Sequence, residues 1–110
     1  MTPKIYLGEF EQTVLLAIMH LDDGAYGTSI IDEIESRTGR KVSRGALYVT
    51  LDRMEDKGLI ASRFGEPTSS RGGRAKRYVK VTKSGLGAVR ESLDALQAMR
   101  QGLDTMLKRS

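Results

Sequence analysis

Apolar residues recur at three- and four-residue intervals in four stretches of the chain, and two short alternating stretches lie between the third and the fourth. The first spacing is typical of amphipathic helices and the second of half-buried strands. Turn-forming residues, with glycine in each turn, separate the helical stretches. The pattern predicts three helices ending at Leu21, Thr38 and Lys57, then strands over 59–64 and 77–82, and a last helix over 83–110.

Composition narrows the function classes that such a chain can serve. The chain has 110 residues, 39% of them hydrophobic, which fits one ordinary globular domain. The predicted elements make this domain mainly α with a small β-wing. With no cysteine, one histidine and no glycine-rich loop after a buried strand, the sequence predicts no enzyme, no metal site and no cofactor. No stretch approaches the roughly 20 apolar residues of a membrane span, so we expect a cytoplasmic protein.

Charge is distributed unevenly along the chain, whose net charge is +4. Residues 1–36 contain one Lys/Arg against seven Asp/Glu, and residues 37–90 contain fourteen against four. A basic block of this kind is either a solvated surface or the footprint of a polyanion site. The location of the block on the predicted elements decides between these two interpretations.

The basic block coincides with the third helix and the strand pair. Leu47, Leu51 and Met54 form a narrow apolar stripe on the helix over 43–57, which leaves its first two turns free to expose polar groups. The segment 65–76 between the strands is rich in glycine and cations. Helix, helix, helix, strand, basic loop, strand is the winged helix-turn-helix plan, in which the third helix enters the major groove of DNA. The alternative for the loop is a flexible, solvated hairpin.

The last predicted helix carries an apolar stripe that exceeds the needs of one small domain. Its leucines and valine alternate three and four residues apart, with Arg100 at one position of the stripe. We therefore predict a winged helix-turn-helix domain over 1–82 and a dimerisation helix over 83–110. The alternative is a helix folded back on its own domain. The predicted homodimer contacts are Phe10, Val14, Leu86, Val89, Leu93, Leu96, Leu103 and Leu107.

Several motifs resemble the PadR family of transcriptional regulators. The run from Gly45 to Ile60, GALYVTLDRMEDKGLI, is similar to the family signature around the recognition helix, G-x-L-Y-P-x-L-x-R-L-E-x-x-G-L-I. The Tyr26-Gly27 pair, the segment 73–82 and the T-x-x-G pattern over 82–85 also resemble the family. Val49 stands where the family usually has proline. The resemblance covers nearly the whole chain and implies a dimeric repressor of the compact subgroup with a single C-terminal helix.

The resemblance and the exposed helix positions together indicate which side chains contact duplex DNA. For Tyr48 the alternative is a ring packed on the wing strands, and for Arg53 it is an ion pair with Asp56. The predicted DNA contacts are Ser43, Arg44, Tyr48 and Arg53 on the helix, with Arg71, Arg74, Lys76 and Arg77 on the wing.

Two further questions stay open from the sequence. The resemblance implies that a small molecule could release the DNA, and a small apolar effector could lodge among Met99, Leu96, Leu93, Phe10 and Val14, although such a stripe is more typical of ordinary core packing. The alternative function is a winged helix that binds a protein partner. Against it, protein interfaces are depleted of lysine at their centre, whereas residues 71–77 are basic except for Gly and Ala.

Overall fold

The computed structural model describes residues 6–65 and 75–109. In this part of the chain, five α-helices, a 3-10 turn and two strands follow one another. They are α1 (Glu9–Leu21), the 3-10 turn (Asp22–Gly24), α2 (Gly27–Thr38), α3 (Arg44–Asp56), β1 (Ile60–Phe64), β2 (Arg77–Val81), α4 (Lys83–Arg100) and α5 (Asp104–Lys108). The predicted fold class, mainly α with a small antiparallel sheet, is confirmed.

The core lies where α1, α2 and α3 meet beside the strands. Burying one aliphatic side chain of Leu or Ile size stabilises a fold by roughly 1.5–3 kcal/mol. The predicted stripe of α3 is confirmed, because its three members are at most 1% exposed. The largest fully buried side chains are Val14, Leu15, Ile18, Ile30, Ile34, Leu47, Leu51, Met54 and Leu59.

Both ends of α3 have the residues that the sequence predicts. The Ser43 hydroxyl oxygen accepts a hydrogen bond from the Ala46 backbone amide at 3.1 Å, which satisfies one of the donors left free at a helix start. At the other end Gly58 has a φ of 76°, a left-handed conformation that glycine adopts without steric cost. The predicted limits of 43 and 57 therefore agree closely with the observed helix.

A buried carboxylate joins α1 to the end of α3. Glu11 is 6% exposed. Its Oε1 accepts a hydrogen bond from the Gly8 amide at 2.9 Å, and its Oε2 lies 3.3 Å from the Lys57 ammonium nitrogen. Leaving a buried charge without partners is costly, so this carboxylate retains both contacts. The Glu11–Lys57 ion pair therefore fixes the C-terminal end of α3 relative to α1.

The sheet is extended by a segment that the sequence analysis did not assign to it. β1 and β2 pair in antiparallel register from Ile60 opposite Val81 to Phe64 opposite Arg77. On the other side of β2, Tyr26 forms a β-bridge with Tyr78, and the Val79 amide donates to the Ala25 carbonyl at 2.9 Å. The residues that lead into α2 therefore add a short third segment to the sheet, next to β2.

The start of α4 fits closely against the end of α3 and the start of β1. The Thr82 hydroxyl donates to the Gly58 carbonyl at 2.6 Å and accepts from the Gly85 amide at 3.1 Å. A Cβ atom on Gly85 would lie 2.1 Å from the Leu59 carbonyl oxygen. The T-x-x-G pattern thus has a physical reason, since threonine caps the helix and glycine leaves room for the backbone beside it.

The predicted single helix over 83–110 is wrong in its second part. α4 ends at Arg100, and Gly102 adopts a φ of 89° before α5 begins at Asp104. A left-handed residue cannot continue a right-handed helix, and glycine is the residue that adopts this conformation most readily. Leu103 and Leu107 therefore do not continue the stripe of α4.

Two of the predicted dimer contacts are also wrong. Val14 is 0% exposed and Val89 is 2% exposed within the single chain. They belong to the core that α1 and α4 share, so neither side chain has surface left to offer a partner. Phe10 is half-buried, with the Arg40 guanidinium 5.0 Å from its ring centroid.

No helix in the described ranges combines the length and the hydropathy that crossing a membrane requires.

Candidate nucleic-acid interface

The first two turns of α3 carry three of the predicted DNA contacts. Ser43 caps the helix, and Arg44 is exposed with its Nη2 3.4 Å from the hydroxyl oxygen of Thr28 on α2. Tyr48 lies four residues after Arg44, on the same side of the helix, and is 39% exposed. The structure therefore brings Ser43, Arg44 and Tyr48 together beside the start of α2.

A close fit between α3 and α2 determines where the Tyr48 ring lies. A Cβ atom on Gly27 would lie 2.4 Å from the Tyr48 hydroxyl oxygen. The hydroxyl end of the ring therefore lies against the first residue of α2, and any larger residue at position 27 would require the ring to shift. The predicted alternative was a ring packed on the wing strands, whereas the observed ring reaches the start of α2, which gives the Tyr26-Gly27 pair of the sequence a structural reason.

The outermost line of α3 differs from the predicted contact set. Successive residues of an α-helix are rotated by about 100°, which places Gly45, Val49 and Asp52 directly opposite the buried stripe. Val49 is 58% exposed, and a Cβ atom on Gly45 would have nothing within 4 Å. Val49 was not among the predicted contacts, although an apolar residue outside the buried stripe was an available signal of an exposed apolar side chain.

Arg53 lies away from the other helix contacts. It follows Arg44 by nine residues, which corresponds to roughly half a turn around the helix axis. The side chain is exposed and, in the described part of the chain, makes no ion pair with Asp56 or any other carboxylate. The predicted alternative of an Arg53–Asp56 pair is therefore wrong.

The guanidinium of Arg77, a predicted DNA contact, is engaged by other side chains of the protomer on three of its nitrogens. Its Nε donates to the Ser62 hydroxyl at 3.0 Å, its Nη1 to Asp52 at 2.9 Å and its Nη2 to Glu55 at 2.9 Å. The side chain is only 21% exposed. We call this group of four residues, Ser62, Arg77, Asp52 and Glu55, the Arg77 clamp.

The pKa values of the clamp residues agree with this geometry. Hydrogen bonds from Ser62 and Arg77, together with the positive charge of Arg77, hold the pKa of Glu55 below its ordinary value, although burial opposes them. Burial alone lowers the pKa of Arg77, but the hydrogen bonds and charges of Glu55 and Asp52 more than offset this, so the pKa of Arg77 is raised. Both groups therefore stay charged around neutral pH.

Lys76, the residue before the clamp arginine, reaches the start of α2 through an aromatic stack. Its ammonium lies 4.3 Å from the centroid of the Tyr26 ring, which packs edge-on against Tyr78 with 5.6 Å between centroids. The Arg63 guanidinium lies 4.6 Å from the Tyr78 ring on the hairpin. Cations over aromatic faces gain about 0.5–1 kcal/mol at exposed sites, which favours this position for Lys76.

The start of α2 thus connects the two groups of predicted contacts. Thr28 meets Arg44, Gly27 meets Tyr48, and Tyr26 meets Lys76. Sequence reasoning missed the role of residues 26–28, because the three contacts join segments far apart in the chain. The predicted wing contacts Arg71 and Arg74, and most of the predicted wing 65–77, lie outside the described residues.

These features define a class of protein. Three helices, a hairpin packed on the third helix and exposed cations beside the start of that helix are the elements of a winged helix-turn-helix protein. The family model described as "Transcriptional regulator PadR-like family" matches residues 15–91. The chain belongs to this family, whose members are DNA-binding transcriptional regulators.

A curated relative and solved structures agree with this assignment. The transcriptional regulator Rv3488 of Mycobacterium tuberculosis is 36% identical over 94 residues, which cover 83% of each chain. A PadR family regulator from Clostridium difficile superposes with a TM-score of 0.71 at 23% identity, over 89% of this chain and 98% of that one. A PadR-like regulator from Bacillus cereus superposes with a TM-score of 0.70 at 22% identity, over 89% of this chain and 90% of that one. The solved structures support the fold alone.

Proposed function

We propose that the protein is a homodimeric repressor that binds an inverted-repeat operator in duplex DNA. The observation that carries this proposal is the placement of Arg44 and Lys76 on either side of the start of α2. Both cations are exposed. A surface of this kind suits a DNA backbone that crosses the start of α2 while α3 enters the major groove.

Each contact has a chemical role in this proposal. Arg44 would read a guanine through two hydrogen bonds, and the exposed Val49 would contact a thymine methyl group. Ser43 and Tyr48 would contact phosphates, which position the helix without reading sequence. The same role is proposed for Lys76, Arg71 and Arg74 along the wing, whereas Arg53 would reach only a backbone on the far side of α3.

The charge along α3 favours an approach to DNA by the first half of the helix. Asp52, Glu55 and Asp56 are exposed in the second half, where the clamp offsets part of their charge. Phosphates would be repelled there and attracted to Arg44 at the other end. The proposal therefore expects the N-terminal turns of α3 to make the base contacts.

The test of DNA binding begins with selection of duplexes from a randomised pool, because the operator is unknown. A two-fold dimer places two recognition helices about 34 Å apart, so we expect an inverted repeat with half-site centres about 10 base pairs apart. Fluorescence anisotropy should then show an affinity that falls steeply as salt rises, by about 0.9 log units per log unit of salt for each phosphate neutralised. Equal binding to a scrambled duplex would contradict the proposal and favour a protein-binding winged helix.

Dimerisation is proposed from apolar surface that the protomer leaves uncovered. Leu93, Leu96 and Met99 on α4 are 38%, 63% and 77% exposed. The radius of gyration is 16.1 Å, compared with about 13 Å for a compact chain of this length, so the protomer is more extended than a compact domain. The proposed division of the chain is unchanged, with a DNA-binding part up to residue 82 and a dimerisation part from residue 83 that includes the exposed Leu86, Leu103 and Leu107.

A glutamate at position 96 should disrupt the dimer. Leu96→Glu places a charge in an apolar interface, which costs several kcal/mol when the charge is unpaired, and the variant should sediment as a folded monomer with weakened operator binding. Asp94→Ala, a change on the same turn of α4, is the control and should remain dimeric. Analytical ultracentrifugation checks both, and a dimeric Leu96→Glu protein would contradict the proposed interface.

The effector prediction changes in its details. Val14 is fully buried and Phe10 packs under Arg40, so neither offers the predicted pocket wall. A small apolar effector at the dimer centre would contact Leu93, Leu96 and Met99, which are exposed. The proposed operator binding in the cytoplasm does not depend on such an effector.

A further inference from the structure

We propose that Arg77 is a positioning residue that holds the base of the wing, Gly65 and Lys76, at a fixed distance from the recognition helix. The inference rests on the proposed DNA binding and assigns the clamp a role in it. Arg77 itself would touch no nucleotide. It would affect affinity indirectly, because its ion pairs with Asp52 and Glu55 hold the base of the wing in the position from which the wing contacts DNA.

The clamp ties the hairpin to α3 at the end of the two paired strands. Arg77 is the first residue of β2 and pairs with Phe64, the last residue of β1. Beyond this pair the strands are joined by a hydrogen bond from the Gly65 amide to the Lys76 carbonyl at 2.9 Å. Lys76 is next to Arg77 in the chain, so a shift of Arg77 would move the base of the basic loop.

The three partners of Arg77 come from two elements. Asp52 and Glu55 lie three residues apart on α3, and Ser62 lies on β1. The Ser62 hydroxyl also donates to Glu55, which closes the network. A planar guanidinium with donors in a rigid fork holds several acceptors in one geometry, which a lysine ammonium cannot reproduce.

A direct phosphate contact by Arg77 is the rival explanation, and it makes the opposite prediction for the carboxylates. If Arg77 bound phosphate, Asp52 and Glu55 would compete with DNA for the guanidinium, and removing their charges would tighten binding. If Arg77 positions the wing, removing these charges releases the wing and weakens binding. The sign of the change therefore separates the two explanations.

Asp56 provides a control for the loss of one carboxylate charge, half of what is lost when Asp52 and Glu55 are both neutralised. It is exposed on α3 next to Glu55 and makes no ion pair in the part of the chain that the structure describes. Asp56→Asn removes one negative charge near the DNA without touching the clamp. Its effect on affinity gives the repulsion alone, against which the clamp variants are compared.

The experiment measures operator affinity by anisotropy for Arg77→Lys, for Asp52→Asn combined with Glu55→Gln, for all three changes together, and for Asp56→Asn. Circular dichroism confirms that each variant is folded at the assay temperature. We expect Arg77→Lys to bind the operator about fivefold more weakly than wild type although it keeps the charge. The carboxylate pair variant should bind about fivefold more weakly than Asp56→Asn. The triple variant should lose no more affinity than either of these two variants, because all the changes break the same network. Arg77→Lys within twofold of wild type, or a carboxylate pair variant as tight as Asp56→Asn, would overturn the inference.

Amide hydrogen exchange of the DNA-free protein separates this inference from the proposed function. Exchange over 60–64 and 77–79 should be faster in Arg77→Lys and unchanged in Asp56→Asn. Unchanged exchange in both variants would show that the clamp does not hold the hairpin and would overturn the inference even when the wild type binds DNA. Failure of the wild type to select any operator would overturn the proposed function, and with it the role of Arg77 in DNA binding.

Discussion

Gly85→Ala should lower the free energy of unfolding by roughly 3 kcal/mol, at the upper end of what overpacking usually costs. The added methyl group would lie 2.1 Å from the Leu59 carbonyl oxygen and 2.8 Å from the Val81 Cγ1 atom. Relief by rotation of a flexible side chain is not available, because the nearest atom is backbone. The start of α4 would have to move away from β1, which would strain both hydrogen bonds of the Thr82 hydroxyl.

Urea denaturation followed by circular dichroism, at one protein concentration, measures this change. Gly87→Ala is the control on the same helix, since a Cβ atom there would have nothing within 4 Å. Replacing a helix-interior glycine by alanine without a clash should raise the stability by up to about 1 kcal/mol. If the two variants shift the unfolding midpoint in the same direction and to the same extent, the close approach at Gly85 is not what determines the residue.

Arg44→Ala should weaken operator binding by about ten- to a hundredfold, the loss expected for about 1–3 kcal/mol of base contact. Arg44 is exposed at the first position of α3, and its one protein contact in the described residues is the 3.4 Å approach to Thr28. The guanidinium is therefore available to a nucleotide, in contrast with that of Arg77. Folding should be unaffected, because alanine is the best helix former.

Arg90→Ala is the matched control for this second prediction. Arg90 is exposed on α4, and its removal changes the net charge by the same amount. Anisotropy titrations at one salt concentration should show a small loss for Arg90→Ala and a large loss for Arg44→Ala. Equal losses would mean that Arg44 acts only through net charge and that α3 does not read the operator.

The sequence predicts the helices of the winged domain well because their limits depend on local chemistry. Ser43 and Gly58 terminate α3 through a cap and a left-handed residue, and both effects act within one turn. The same reasoning could have found the end of α4. Gly102 was an available stop signal, but the leucine spacing continued across it and led to a helix that was too long.

The positions and partners of individual side chains are less predictable, because they depend on contacts between residues that are far apart in the sequence. Alternation places Arg77 on one face of β2 but does not show that Asp52, 25 residues earlier in the chain, lies opposite it. An apolar stripe likewise predicts burial without saying which chain covers it. Val89 is covered by its own protomer, whereas Leu96 is left exposed.

The β-bridge between Tyr26 and Tyr78 limits how the DNA-binding surface can move. Because the residues that lead into α2 form part of the same sheet as the hairpin, the base of the wing and the start of α2 should move together. A motion that lifts the wing base from the duplex must also lift the N-terminal end of α2.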